Sequence, residues 1–113
     1  NGSAIWLSGI ELCVFGKNPG APFNLHCQNT VLRYPCGTNK IHPTQKPVEL
    51  MRQLVLASSQ IGGVVFDPFM GSGTTAIACI RENRNFIGFE LNKEYYEKAC
   101  KRIQLEMAQP SIF

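Results

Sequence analysis

Val64-Val65-Phe66-Asp67-Pro68-Phe69-Met70-Gly71-Ser72-Gly73-Thr74-Thr75 is the densest signal in the chain: an apolar run reaches an acid, bends through two glycines and opens a helix-forming stretch. A continuous apolar run of this kind is the pattern of a strand buried on both faces. In open α/β sheets, ligands bind at the carboxyl ends of such strands. Gly71 and Gly73 allow a sharp bend and a close backbone approach, and the amides at the helix start are ready donors. Thr74 and Thr75 stand where a phosphate loop would carry lysine, so the stretch is not a Walker motif.

Downstream, Thr74 to Arg84 is apolar on one side through Ile77, Ala78 and Ile80, and Phe86 to Phe89 reads as a second buried strand. Asn92 caps a longer helix with a predicted core stripe of Tyr96, Ala99, Cys100, Ile103 and Met107. Glu94 with Lys98, and Glu97 with Lys101, have i, i+4 spacing on its exposed faces. Upstream, Pro47 and Glu49 start a helix whose stripe is Val48, Met51, Leu54, Val55 and Ser58, and Gly62-Gly63 ends it. Residues 47–109 therefore read helix, strand, helix, strand, helix: a parallel α/β unit with a right-handed crossover. Before it, 10–46 is largely irregular, with short strands expected at Ile10 to Phe15 and Thr30 to Tyr34.

The chain has 113 residues, which is one domain, residues 1–113, with no room for a second. Hydrophobic residues make up 44% and charged residues 17%, a globular balance. The formal charge of +3 is too mild to mark a nucleic-acid surface by itself. Cys13, Cys27, Cys36, Cys79 and Cys100 are odd in number and form no Cys-x-x-Cys pair, which fits free thiols in a reducing, cytoplasmic setting. No membrane span or signal peptide is evident. His26, Cys27, Cys36 and His42 lack the short ligand pairs of zinc sites, so no metal is expected. Lys17, Arg33 and Lys40 read as solvated loop charges before they read as phosphate contacts.

Two ligands compete for the glycine turn. Gly71-Ser72-Gly73-Thr74-Thr75-Ala76 matches G-x-G-x-x-A, and Glu90 follows at the end of the next strand, as in dinucleotide-binding oxidoreductases. The glycines come late, however, and Asp67 sits where a pyrophosphate would approach. That acid repels phosphate but suits the cationic ammonium or sulfonium of S-adenosylmethionine.

The same residues, preceded by His42-Pro43-Thr44-Gln45-Lys46-Pro47 and followed by Gly88-Phe89-Glu90-Leu91, resemble the cofactor half of the DNA amino-methyltransferases, which methylate adenine N6 or cytosine N4. The resemblance covers about Ile10 to Gln104 and implies the permuted order in which catalytic motifs precede cofactor motifs. It implies a partial Rossmann-like methyltransferase fold, with 10–46 as strand and target-facing loop and 47–109 as the cofactor-binding unit. Asp67, Phe69, Gly71, Ser72, Gly73 and Thr74 would surround the methionine part, and Glu90, with Asn92 beyond it, would take the ribose. Lys46 would pair with the methionine carboxylate and Thr44 would donate a hydroxyl.

The target would be an exocyclic amine in double-stranded DNA, with adenine N6 first and cytosine N4 the alternative. The family's catalytic Asp/Asn/Ser-Pro-Pro-aromatic tetrapeptide is absent: no two of the seven prolines are adjacent, and Asp67 is the only aspartate. The expectation is that the chain lacks an N-terminal catalytic half, carries no catalytic residue and is inactive alone. It would then expose apolar sheet surface, pairing with that half or with itself. The alternatives are an NAD-binding oxidoreductase fragment and a non-enzymatic remnant.

Overall fold

Pro47 lies in extended backbone immediately before α1 (Val48–Ser58), and Glu49 sits in the first turn beside the positive end of the helix dipole. The far end of α1 is capped from a distance. Asn24 Nδ2 donates to the carbonyls of Leu56 at 2.8 Å and Ser59 at 2.7 Å, and its backbone N–H donates to Ala57 at 2.8 Å. These bonds satisfy carbonyls that have no partner within the helix. The computed structural model describes residues 10–25, 29–35 and 40–109.

After α1 come β1 (Val64–Asp67), α2 (Thr74–Arg81), β2 (Asn85–Gly88) and α3 (Lys93–Ala108). The two strands pair in parallel, with Val64 opposite Asn85 and Asp67 opposite Gly88, and α2 is the crossover between them. Asn92 caps α3, its side-chain oxygen accepting the Tyr95 N–H at 3.1 Å.

The core lies on one face of this pair. Val65 and Phe86, opposite each other in the ladder, pack against Val55, Ala78 and Cys79; Phe86 also meets Met70, Ala76, Ile77, Ala99 and Ile103. Burying Ile77, which is 2% exposed, stabilises the fold by about 1.5–3 kcal/mol. Burial pushes the Cys79 thiol above its ordinary pKa, as expected for an inert packing residue. Cys13 and Cys100 are also free thiols, and Cys27 and Cys36 lie outside the described residues.

Several expectations are corrected. The strands are not buried on both faces: Val64, Phe66 and Ile87 are exposed, and Phe66 and Phe89 meet edge to face at 5.9 Å on the open side. The packed helices cover the Val65–Phe86 side, so alternate residues of each apolar run face outward. Ile10 to Phe15 and Thr30 to Tyr34 are irregular chain, with Leu12 and Val14 exposed. Strand propensity yields no strand without a ladder partner. Within this segment Lys17 donates to the Ala21 carbonyl at 2.8 Å and the Phe15 and Phe23 rings meet edge to face at 5.7 Å, while the Tyr34 hydroxyl donates to Gln53 of α1. The helical stripes are narrower than expected, since Leu54, Ser58, Tyr96 and Met107 are exposed while Ala57 is buried. Lys98 pairs with Glu94 at 2.9 Å, and Glu97 approaches Lys93 rather than Lys101, at 4.0 Å. Among the described residues no helix is long and apolar enough to cross a membrane.

Charge pairs join the helices. Arg52 donates to Glu49 at 3.0 Å and to Glu82 at 2.5 Å, and Arg81 clamps Glu106 through Nε at 2.6 Å and Nη2 at 3.1 Å. The Arg81 hydrogen bonds hold the Glu106 carboxyl below its ordinary pKa. A carboxylate with a depressed folded pKa contributes stability above its unfolded pKa and loses it as pH falls through the folded value. Arg81→Met should therefore lower the melting temperature near neutral pH, and the gap to wild type should close as pH falls through and below the ordinary glutamate range. A pH series of thermal melts checks this; a gap that stays constant over that window would refute it.

Candidate functional site

β1 ends at Asp67, whose carboxylate organises the turn that follows. Oδ1 accepts the Phe69 N–H at 3.0 Å, and Oδ2 accepts the Thr75 hydroxyl at 2.6 Å. The acid thus locks both ends of 67–75, a local aspartate-to-backbone bond joined to a tether on the first turn of α2. The pairing with β2 continues past the ladder: Phe89 N–H donates to Asp67 at 3.0 Å and Met70 N–H donates to Phe89 at 2.8 Å. Met70 buries its side chain beneath the turn, over Gly88, where an added Cβ would stand 2.3 Å from the Met70 sulfur.

Gly71 and Gly73 have φ of +54° and +81°, the left-handed region that glycine adopts freely. Gly73 is the N-cap of α2 and lies against α3: a Cβ there would meet Ala99 and Ile103, each at 3.4 Å. Glu90 stands just past β2. Its Oε2 accepts the Gly71 N–H at 2.9 Å and its Oε1 accepts the Asn92 N–H at 2.9 Å, so one carboxylate joins the glycine turn to the cap of α3. A carboxylate has about four acceptor sites, so Glu90 and Asp67 both retain lone pairs for a ligand.

Ser72 and Thr74 turn inward. They are 3% and 5% exposed, and Arg102 of α3 donates to both hydroxyls and to the Ser72 carbonyl at 3.0–3.2 Å. Burial holds the Arg102 pKa below the ordinary arginine value, and the nearby Arg81 charge lowers it further. On the other side of the turn, the His42 ring lies against Gly71, 3.7 Å from where a Cβ would be, and tilts against Tyr95 with ring centroids 4.4 Å apart. His42 Nδ1 receives the Thr44 N–H at 3.2 Å and lies 3.0 Å from the Thr44 hydroxyl. The result is a close-approach turn at the carboxyl ends of two parallel strands, with two acids beside it. Backbone and acidic groups in that arrangement suit a ligand carrying vicinal hydroxyls and a cation.

Residues 3–101 match the protein family described as DNA methylase, N6_N4_Mtase. The chain is 50% identical over 72 residues to the type II methyltransferase M.HpaI of Haemophilus parainfluenzae, covering 63% of this chain and 23% of that protein. It is 38% identical to the DNA adenine methyltransferase YhdJ of Escherichia coli K12 over 93% of this chain and 40% of that protein. The crystal structure of an M1.HpyAVI–SAM complex superposes with a TM-score of 0.61 at 42% identity, over 73% of this chain and 43% of that one.

The chain belongs to the N6/N4 DNA methylase family.

It spans less than half the length of these relatives, and its α/β unit is a partial Rossmann-like methyltransferase fold. The family assignment removes the dinucleotide-oxidoreductase alternative. Within this DNA methylase chain, Asp67, Gly71, Ser72, Gly73, Thr74, Glu90 and Asn92 lie around one turn. Phe69 is 88% exposed beside them and seals no core; Met70 does that instead. Thr44 is drawn in only through His42, and Lys46 turns away to Glu11, 2.7 Å from its Oε1. Tyr95, not Tyr96, packs toward the site, because its ring tilts against His42 while Tyr96 stays exposed. Of the residues weighed for zinc, His26, Cys27 and Cys36 lie outside the described residues. Arg102 escaped the sequence reading; the available signal was a cation on the flank of the Ala99–Ile103 stripe. Gly73→Ala should destabilise the chain by about 1–2 kcal/mol, because it places an L side chain in left-handed backbone against Ala99 and Ile103. Urea unfolding measures it, and an unchanged midpoint would mean that the turn relaxes without cost.

Proposed function

We propose that this chain is the cofactor-binding side of an S-adenosylmethionine-dependent DNA methyltransferase that modifies an exocyclic base amine, adenine N6 first and cytosine N4 as the alternative. The observation that carries the reading is the bond from Gly71 N–H to Glu90. It brings a turn open to close approach against a carboxylate that can accept from both hydroxyls of a ribose. When bound, the cofactor supplies an electrophilic methyl group on a sulfonium. Glu90 takes the ribose hydroxyls, Asp67 offsets the positive charge of the methionine end, and the exposed Phe69 ring packs on the ligand. Gly71 and Gly73 leave room for the ligand, while Ser72, Thr74 and Asn92 shape the turn. Lys46 reaches the methionine carboxylate by leaving Glu11, and Thr44 orients the His42 segment beside it.

Residues 47–109 form the cofactor unit, and 10–46 face the target. The amine-binding tetrapeptide is not in this sequence, so the chain alone is inactive and works with a catalytic half that packs on the open Phe66–Ile87 face; self-association through that face is the competing outcome. The complete enzyme acts on double-stranded DNA in the cytoplasm and must take its base out of the stack. With a formal charge of +3, this chain alone binds DNA weakly and without sequence preference.

Calorimetry with S-adenosylhomocysteine tests the cofactor reading. Glu90→Ala should weaken binding about tenfold to a hundredfold, the loss of hydrogen bonds to a charged acceptor. An analogue lacking the ribose hydroxyls should bind wild type more weakly and lose less in Glu90→Ala than S-adenosylhomocysteine does, because the two changes remove the same interaction. Independent, additive losses would place the ribose elsewhere, and no heat from the wild-type chain would favour the non-enzymatic remnant.

A further inference from the structure

We propose that Arg102 is a positioning residue of the cofactor turn, holding the peptide between Gly71 and Gly73 in its ligand-ready orientation from α3 without touching the ligand. This rests on the cofactor reading above. Arg102 Nη1 lies 3.1 Å from the Ser72 carbonyl, 3.2 Å from the Ser72 hydroxyl and 3.0 Å from the Thr74 hydroxyl. One nitrogen with two hydrogens therefore serves three acceptors in a shared arrangement. Among the described residues Arg102 forms no ion pair with a carboxylate. Its recognition of the turn is thus not incidental to a salt bridge.

The turn needs such a hold. Ser72 stands between two glycines with positive φ, and a peptide next to glycine rotates at little steric cost. The Ser72–Gly73 peptide is fixed at both ends, its carbonyl by Arg102 and its N–H by the Met70 carbonyl at 2.9 Å. If the carbonyl end were released, the peptide could flip and present an acceptor where the turn now offers room and donors. Ser72 and Thr74 are buried, so water does not readily replace the lost guanidinium, and the turn would have to open to satisfy them. Ala99 and Ile103, which flank Arg102 on the same face of α3, close against Gly73. The helix face therefore supports the turn by packing as well as by hydrogen bonds.

The test uses the 113-residue chain as wild type, Arg102→Met, Arg102→Lys and, as a control, Arg81→Met, which cuts the neighbouring Glu106 clamp and removes no hydrogen bond to the turn. S-adenosylhomocysteine affinity is measured by calorimetry, and amide exchange is followed at Ser72 to Thr74. Arg102→Met should weaken binding about tenfold and speed exchange in the turn, Arg102→Lys should fall between, and Arg81→Met should keep its Kd within about twofold despite a lower melting temperature. If Arg102→Met does not fold, Arg102→Lys decides on the same criteria. Wild-type affinity in the Arg102 variant, or an equal loss in Arg81→Met, overturns the positioning role while the cofactor reading stands. Absence of binding by the wild-type chain overturns the cofactor reading and this proposal together.

Discussion

The Glu90 carboxylate is the fixed point at the carboxyl end of the sheet. Two parallel strands of four residues each cannot by themselves set the path of the turn after β1 or the start of the helix after β2. Glu90 does both, with one oxygen on the Gly71 N–H and the other on the Asn92 N–H. Bonds of this kind to a carboxylate are stronger as a class than neutral ones. Asn92 passes the constraint on by capping α3 through Tyr95, and the Tyr95 ring returns to the turn through His42. The order of the site is thus a closed circuit: strand end, carboxylate, helix cap, aromatic pair and glycine turn.

That circuit sits on a sheet with one dressed face. The helices cover Val65 and Phe86, which are partly buried, but leave Val64, Phe66, Ile87 and Phe89 exposed. Leu91 and Phe69 add exposed apolar surface at the same end as the turn. Parallel sheets in α/β proteins are normally covered on both sides, and an apolar face of this kind signals another layer. The exposure takes in Phe69 but stops short of Ser72, Thr74 and Thr75, which are buried and hydrogen-bonded. The polar order of the site is therefore complete on the dressed side and independent of whatever covers the other.

Local chemistry was legible in the sequence, and long-range partnership was not. Pro47 before α1, the Asn92 cap, the glycines at positive φ and the parallel pairing of the two strands all follow from residue type and spacing within a few positions. The strands expected at Ile10 to Phe15 and Thr30 to Tyr34 did not form, because apolar alternation specifies a face but cannot supply the neighbour that completes a ladder. For the same reason nothing local to the turn shows that Met70 rather than Phe69 faces the core; its packing over Gly88 does. Asn24 on the end of α1 and Arg102 on the glycine turn bridge separations of about thirty residues. No periodicity carries that kind of information.

The hydrogen bonds that order the turn bear on how affinity for the proposed cofactor is built. Asp67 and Glu90, the two acids nearest the turn, already accept backbone and hydroxyl protons, and Arg102 already holds the carbonyl between the glycines. A ligand arriving at the remaining lone pairs need not fix the loop as it binds, so more of its contact energy appears as affinity. Glycine makes this necessary. The same freedom that permits φ of +54° and +81° at Gly71 and Gly73 would leave an unsupported turn sampling many shapes. On the proposed cofactor reading, residues that never meet the ligand share in its binding, because the fold must supply the stiffness that the glycines give up.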